Sequence, residues 1–262
     1  MLYLKRLNYL LNRLRLDGAY ILKSAISNFQ LRYRYVFNDI IHNKRNRIVI
    51  YTLGKCGSTS VQFSLCKHLK TSRVDQAHFL SEKELSKLRK DQFASLHLRA
   101  KIVNAKLKST QPQKVTFITI VRNPFDRDLS SYFQNRDWYK KFDVNNSNLN
   151  DYLNNSSDMS LNWIFDELIP NFSLSIEDFK NLPKNGRWID LSCGAKLLVL
   201  RYENLRESLE CNFPGFDLMR LNSADQKKYS GEKLEVERTF KIPSEYKSRV
   251  ESSGFYKLFY ND

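Results

Sequence analysis

RIVIYTLGKCGSTSVQFSLCKHL, residues 47–69, decides how the rest of the chain is read. Ile48, Val49, Ile50 and Tyr51 form an unbroken β-branched and aromatic run, which predicts a buried strand. The run stops at Thr52-Leu53-Gly54-Lys55-Cys56-Gly57-Ser58-Thr59-Ser60. Val61, Leu65 and Leu69 then recur at i, i+4 and i+8, the spacing of one helix face. A strand, a basic glycine-bearing loop and a helix in that order point backbone N–H groups and the positive end of a helix dipole into the loop. That setting favours an anion. Gly54 and Gly57 allow φ > 0 and a close backbone approach. Lys55 adds a full positive charge. Ser58, Thr59 and Ser60 supply hydroxyls that can cap the helix or hold phosphate oxygens.

The order is not that of a Walker A loop. That motif needs a glycine five positions before its Gly-Lys pair and a hydroxyl residue straight after the lysine. Here Val49 and Cys56 occupy those places. A second strand–turn–helix unit follows at residues 114–133. Lys114 to Val121 reads KVTFITIV, the clearest strand pattern in the chain. It ends in Arg122-Asn123-Pro124, and Phe125 to Phe133 reads as helix with Pro124 in the first turn. The comparable strand of a P-loop nucleotidase ends in an acid that holds magnesium. An arginine in that place selects an anion instead. Arg122 can give a phosphate two parallel hydrogen bonds. Ser130, eight positions on, falls on the same helical face two turns along.

Together the two units resemble the sulfotransferases that use 3′-phosphoadenosine 5′-phosphosulfate (PAPS). Gly54 to Ser60 looks like their 5′-phosphosulfate loop, and Val121 to Phe133 looks like their 3′-phosphate motif. The resemblance implies an α/β fold, a P-loop-like three-layer sandwich with a central, mainly parallel sheet flanked by helices. It implies that Lys55, Cys56, Gly57, Ser58, Thr59, Ser60, Arg122 and Ser130 bind PAPS as donor, with no metal. His78-Phe79-Leu80, Arg201-Tyr202-Glu203, the stretch from Leu221 to Tyr229 and the tail from Tyr246 resemble the branch assigned to capsular polysaccharide synthesis. That likeness implies a carbohydrate acceptor.

Sulfuryl transfer requires a stabilised leaving phosphate and a deprotonated acceptor hydroxyl. Lys55 suits the first need, because an ammonium near the bridging oxygen stabilises charge that grows in the transition state. His78 suits the second: its ordinary pKa of ~6.5 lets it accept a proton near neutrality, and it falls at the carboxyl end of the second expected strand. Glu82 and His97 are held in reserve, and His68 is read as structural.

Composition sets the outer bounds. The 262 residues suit one domain or a domain with a subdomain, and 17 Phe and 14 Tyr supply core material. A net charge of +15 attracts polyanions: nucleotides, nucleic acid, acidic glycans or an anionic membrane face. The alternatives to a sulfotransferase are therefore a P-loop nucleotide kinase, dependent on magnesium, and a non-catalytic basic protein that binds nucleotide or another polyanion. The donor reading has no role for nucleic acid. Cys56, Cys66, Cys193 and Cys211 lack zinc spacing, and their scatter favours free thiols in a reducing, cytoplasmic setting. No transmembrane run is present. Residues 1–46 form an expected basic amphipathic helical extension ahead of a domain at 47–262. Leu4, Leu7, Leu11 and Leu14 line one face, which either packs on the domain or touches the anionic inner face of a membrane.

Further elements follow from local patterns. A short strand is expected at Val74 to Phe79. A helix starting at the capping-box-like Ser81-Glu82-Lys83-Glu84 is expected to run to Lys108. Polar loops are expected around Asn145 and Asn154, and a helix from Met159 that stops at Pro170. Ser175 caps a short helix with Asp178 as partner. Two strands, Arg187 to Leu191 and Lys196 to Leu200, meet at a tight turn, and a helix runs from Tyr246 to Tyr260.

Overall fold

The computed structural model describes residues 46–69, 73–88, 90–141, 148–156, 158–219 and 230–261. The expected N-terminal extension and the stretch Leu221 to Tyr229 lie outside the described residues, apart from Asn46. Five strands make one sheet: β1 Arg47–Tyr51, β2 Arg73–Ala77, β3 Val115–Val121, β4 Arg187–Asp190 and β5 Lys196–Arg201. Their spatial order is β2-β1-β3-β5-β4. All neighbours are parallel except β4, which runs antiparallel to β5 through the expected turn.

Alternation along the central strands splits the core between two faces. Val49, Tyr51, Phe117, Leu197 and Val199 belong to one cluster with Leu85, Ala100, Trp163, Leu168 and Phe255. Ile48, Ile50, Ile118, Ile120, Leu198 and Leu200 belong to another with Val61, Leu65, Leu205 and Leu209. The sheet is thus covered by helices on both sides, as the α/β reading requires. The helices are α1 Ser58–His68, α2 Glu82–Lys87, α3 Lys90–Lys108, α4 Pro124–Lys141, α5 Leu149–Asn155, α6 Met159–Trp163, α7 Ile169–Phe172, α8 Leu205–Asn212, α9 Ser230–Thr239, α10 Ser244–Ser252 and α11 Gly254–Phe259. A third cluster joins Tyr132 and Phe133 of α4 to Tyr152, Leu153, Tyr246 and Val250.

β2 is polar in sequence yet buried, because its polar side chains have partners. Asp75 pairs with Arg47 and, at 2.7 Å, with Lys106 of α3. All three are below a tenth exposed. Gln76 donates to Ser58 Oγ at 2.5 Å.

Five local expectations change. The helix after Ser81 breaks at Leu88, which sits at ψ 127°, and restarts as α3 with Phe93 non-helical; Phe93 and Leu98 are exposed. α4 runs on to Lys141, and Asn154 ends a helix rather than forming a loop. The helix from Met159 passes Pro170: a π-helical turn at Ile164–Leu168 lets the chain restart as α7 with the proline in its first turn, where a missing N–H costs little. The C-terminal run is two helices divided at Ser253, whose hydroxyl caps the second.

Candidate functional site

The carboxyl ends of β1, β2, β3 and β5 point the same way, and each is followed by a loop that carries polar or charged side chains. β1 gives Gly54 to Gly57, β2 gives His78, β3 gives Arg122, and β5 gives Tyr202 and Glu203. The connections from β1 lead to β2 on one side and, after α3, to β3 on the other. Such a reversal opens a crevice beyond the strand ends. An open cavity of about 870 Å³ lies there. Gly54, Lys55, Gly57, Ser58, Thr59, Ser60, His78, Arg122 and Ser130 all line it.

The first loop is strained. Lys55 has φ 71° and Gly57 φ 76°. The left-handed residue ahead of Cys56 is therefore the lysine, not Gly54. A non-glycine residue there costs about 1–2 kcal/mol, a cost that recurs at ligand loops. Gly57 precedes α1, which starts without a side-chain cap. No side chain of the N-cap residue covers the end of the helix, since that residue is a glycine. Ser58 Oγ is turned by the amide of Gln76, whose position in β2 fixes it. Cys56 turns its side chain away from the cavity. Its side chain is 3% exposed and packs under the loop, with Sγ 3.8 Å from Gly54 O, and burial pushes its thiol pKa up. Only its backbone can serve an anion. All four cysteines are free thiols.

Arg122 reaches the first loop directly, with Nη1 donating to Lys55 O at 2.7 Å. Its guanidinium carbon lies 4.2 Å from the centre of the Tyr202 ring. Glu203 accepts from Asn123 N at 2.9 Å, which fixes the peptide after Arg122. Ser130 lies on α4. That helix is anchored by Asp128, which pairs with Arg127 and accepts from Tyr246 OH at 2.9 Å.

His78 Nδ1 lies 2.6 Å from Thr52 O. A carbonyl only accepts, so the neutral ring carries its proton on Nδ1 and keeps its lone pair on Nε2. Burial, then the charges of Arg99, Lys55 and Arg127, lower its pKa to about 4, against the raising effect of the Thr52 carbonyl. The segment around it is held by side chains that local patterns did not reveal. Trp163 Nε1 donates to His78 O at 2.7 Å. Glu167, fully buried in the π-helical turn, accepts from Tyr51 OH, the amides of Leu80 and Ser81, and Ser81 Oγ. Their i, i+4 spacing is the one trace of this pair in the sequence. The two reserves stay outside the cavity lining: Glu82 is exposed on α2, and His97 Nε2 meets Leu88 O at 3.1 Å; His68, read as structural, packs its ring against Phe216.

The cavity is dominated by cations, since Lys55, Arg99, Arg122, Arg206 and Lys233 line it against Glu203 and Glu207. Among the described residues no group of His, Cys, Asp and Glu gathers to hold a metal ion. The sequence model of the sulfotransferase family matches residues 38–253, a span that includes both anion loops and the Arg201-Tyr202-Glu203 stretch. No curated protein and no solved structure matches the chain.

Proposed function

The chain belongs to the sulfotransferase family, and on that footing we propose that it transfers a sulfuryl group from PAPS to a carbohydrate hydroxyl. Sulfuryl transfer is the family's reaction. The donor assignment is carried by one observation: the Lys55 loop and Arg122 with Ser130 open onto the same cavity as His78. The carbohydrate acceptor is supported by the likeness of His78-Phe79-Leu80 and Arg201-Tyr202-Glu203 to proteins of capsular polysaccharide synthesis.

In this reading the loop amides from Cys56 onward, with Ser58, Thr59 and Ser60, hold the 5′-phosphate and sulfuryl oxygens. Arg122 and Ser130 hold the 3′-phosphate. The acceptor oxygen attacks sulfur while the bond from sulfur to the 5′-phosphate oxygen breaks. The hydroxyl proton passes to His78 Nε2, and adenosine 3′,5′-bisphosphate leaves with the bond's electron pair. Lys55 stabilises the negative charge that grows on the leaving oxygen. The anionic donor offsets the cations around His78 and so raises its proton affinity when proton uptake is required. The proposal also places the chain in a reducing, cytoplasmic setting.

The deciding experiment is a thermal melt with adenosine 3′,5′-bisphosphate in the absence of magnesium, with ATP as competitor. A midpoint that rises with nucleotide concentration and is little affected by ATP supports the donor assignment. No rise up to millimolar nucleotide sinks it.

A further inference from the structure

Tyr202 follows β5 as part of the Arg201-Tyr202-Glu203 stretch, to which the reaction above gives no role. Its ring touches both anion loops. On one side lies the Arg122 guanidinium, 4.2 Å from the ring centre. On another lies Gly57, where a Cβ would come within 3.0 Å of Tyr202 Cε2 and 3.3 Å of Leu205 Cδ2. The ring therefore rests on a stretch of the first loop that has no side chain. Tyr202 is 36% exposed and lines the cavity, so it is not a core residue held there by burial alone. The next residue, Glu203, accepts from Asn123 N and from Tyr260 OH, which fixes the backbone on the far side of Arg122.

A guanidinium stacked on a ring uses its face for the contact. Its N–H donors lie in the plane and stay available at the edge. One of them, on Nη1, is taken by Lys55 O. Nε is buried without a partner, so ring and carbonyl leave Nη2 and the second Nη1 hydrogen as the fork that can meet a ligand. A phosphate with tetrahedral oxygens is read best by such a fork.

We infer that Tyr202 is the positioning residue that gives this site its preference for a 3′-phosphate, by holding Arg122 in the plane where it can grip one. The inference rests on the donor reading above and extends it to a residue that touches neither phosphate. Because the ring also leans on Gly57, seating the 5′-phosphate in the first loop steadies the residue that reads the other end of the nucleotide.

The test is calorimetric titration of the full chain and of Tyr202→Phe, Tyr202→Leu and Tyr202→Gln with two nucleotides, adenosine 3′,5′-bisphosphate and adenosine 5′-monophosphate. Removing the ring should weaken the bisphosphate about tenfold, the size expected of a partly desolvated cation–π contact, and the monophosphate less than twofold. Tyr202→Phe should match the unaltered chain, because the ring and not the hydroxyl does the positioning. Equal losses for both nucleotides, a Tyr202→Phe as weak as the ringless variants, or no loss at all would overturn the inference while leaving the donor assignment standing. An unaltered chain that does not distinguish the two nucleotides would remove the donor assignment and this inference with it. The two ringless variants differ in polarity, so one that fails to fold leaves the other to give the answer.

Discussion

Arg122 donates from Nη1 to the carbonyl of Lys55 at 2.7 Å, so a side chain at the end of β3 holds the backbone of the loop after β1. The two cationic positions singled out by the sequence are therefore parts of one device. Arg122→Ala should reduce affinity for adenosine 3′,5′-bisphosphate by about 10–100-fold, the range of a lost charged hydrogen bond at ~1.5–3 kcal/mol. It should also weaken adenosine 5′-monophosphate a few-fold, because the loop loses its tie. A clean loss confined to the bisphosphate would show that the Lys55 loop holds its shape without Arg122.

His78 is the residue whose removal should separate binding from chemistry. His78→Ala should lower turnover about 10²–10⁴-fold, the usual contribution of a general base. It should leave bisphosphate affinity within twofold. Steady-state rates and titration on the same preparation check this, and full activity would move the base elsewhere.

The same histidine sets a pH dependence of stability. Its pKa falls from an ordinary 6.5 to about 4 in the folded chain. Between those values the unfolded chain binds a proton that the folded chain refuses, so stability is full above about pH 6.5 and declines as pH falls towards 4. His78→Gln should lack that part of the slope in urea titrations run across the interval. With bisphosphate bound the slope should shrink, because the ligand's charge raises the folded pKa. Parallel pH profiles for the two proteins would refute the assignment.

Glu167→Ala removes the acceptor shared by Tyr51, Leu80 and Ser81 and leaves buried donors without it. At ~1–3 kcal/mol for each unsatisfied group, a loss of about 3–5 kcal/mol is expected. The thermal midpoint should fall by ~10 °C or more for a chain of this size. Asp75→Asn should destabilise by a similar ~3–5 kcal/mol, since Arg47 and Lys106 lose their shared buried counter-ion. It should spare nucleotide affinity. A donor-binding defect in Asp75→Asn with normal stability would contradict this division of labour.

The sheet was legible in the sequence because its central strands are buried on both faces and read as runs such as Ile48 to Tyr51 and Lys114 to Val121. The anion loops were legible because glycine, lysine and hydroxyl residues fall between such a run and a helical face. β2 was harder to read: Asp75 and Gln76 look like surface residues until Arg47, Lys106 and Ser58 are brought to them from other elements. The breaks at Leu88 and Ser253 and the passage through Pro170 depend on tertiary packing that outweighs local propensity. Trp163 and Glu167 carry no local signature beyond their i, i+4 spacing, since each acts on a segment far away in the chain, and Tyr202 was legible only as part of the Arg201-Tyr202-Glu203 stretch. The resemblance named Cys56 among the donor-binding residues without saying which part of it serves, and the burial of its side chain beneath the loop leaves the backbone.

The left-handed backbone of Lys55 also separates what suits the fold from what suits the ligand. Glycine would sit there more comfortably, and the relief of backbone strain in Lys55→Gly should favour the folded state by up to about 1 kcal/mol. Any selection scheme that rewards heat resistance alone would therefore tend to discard this lysine, and a hardened variant recovered that way should be sequenced at position 55 before it is trusted as a catalyst.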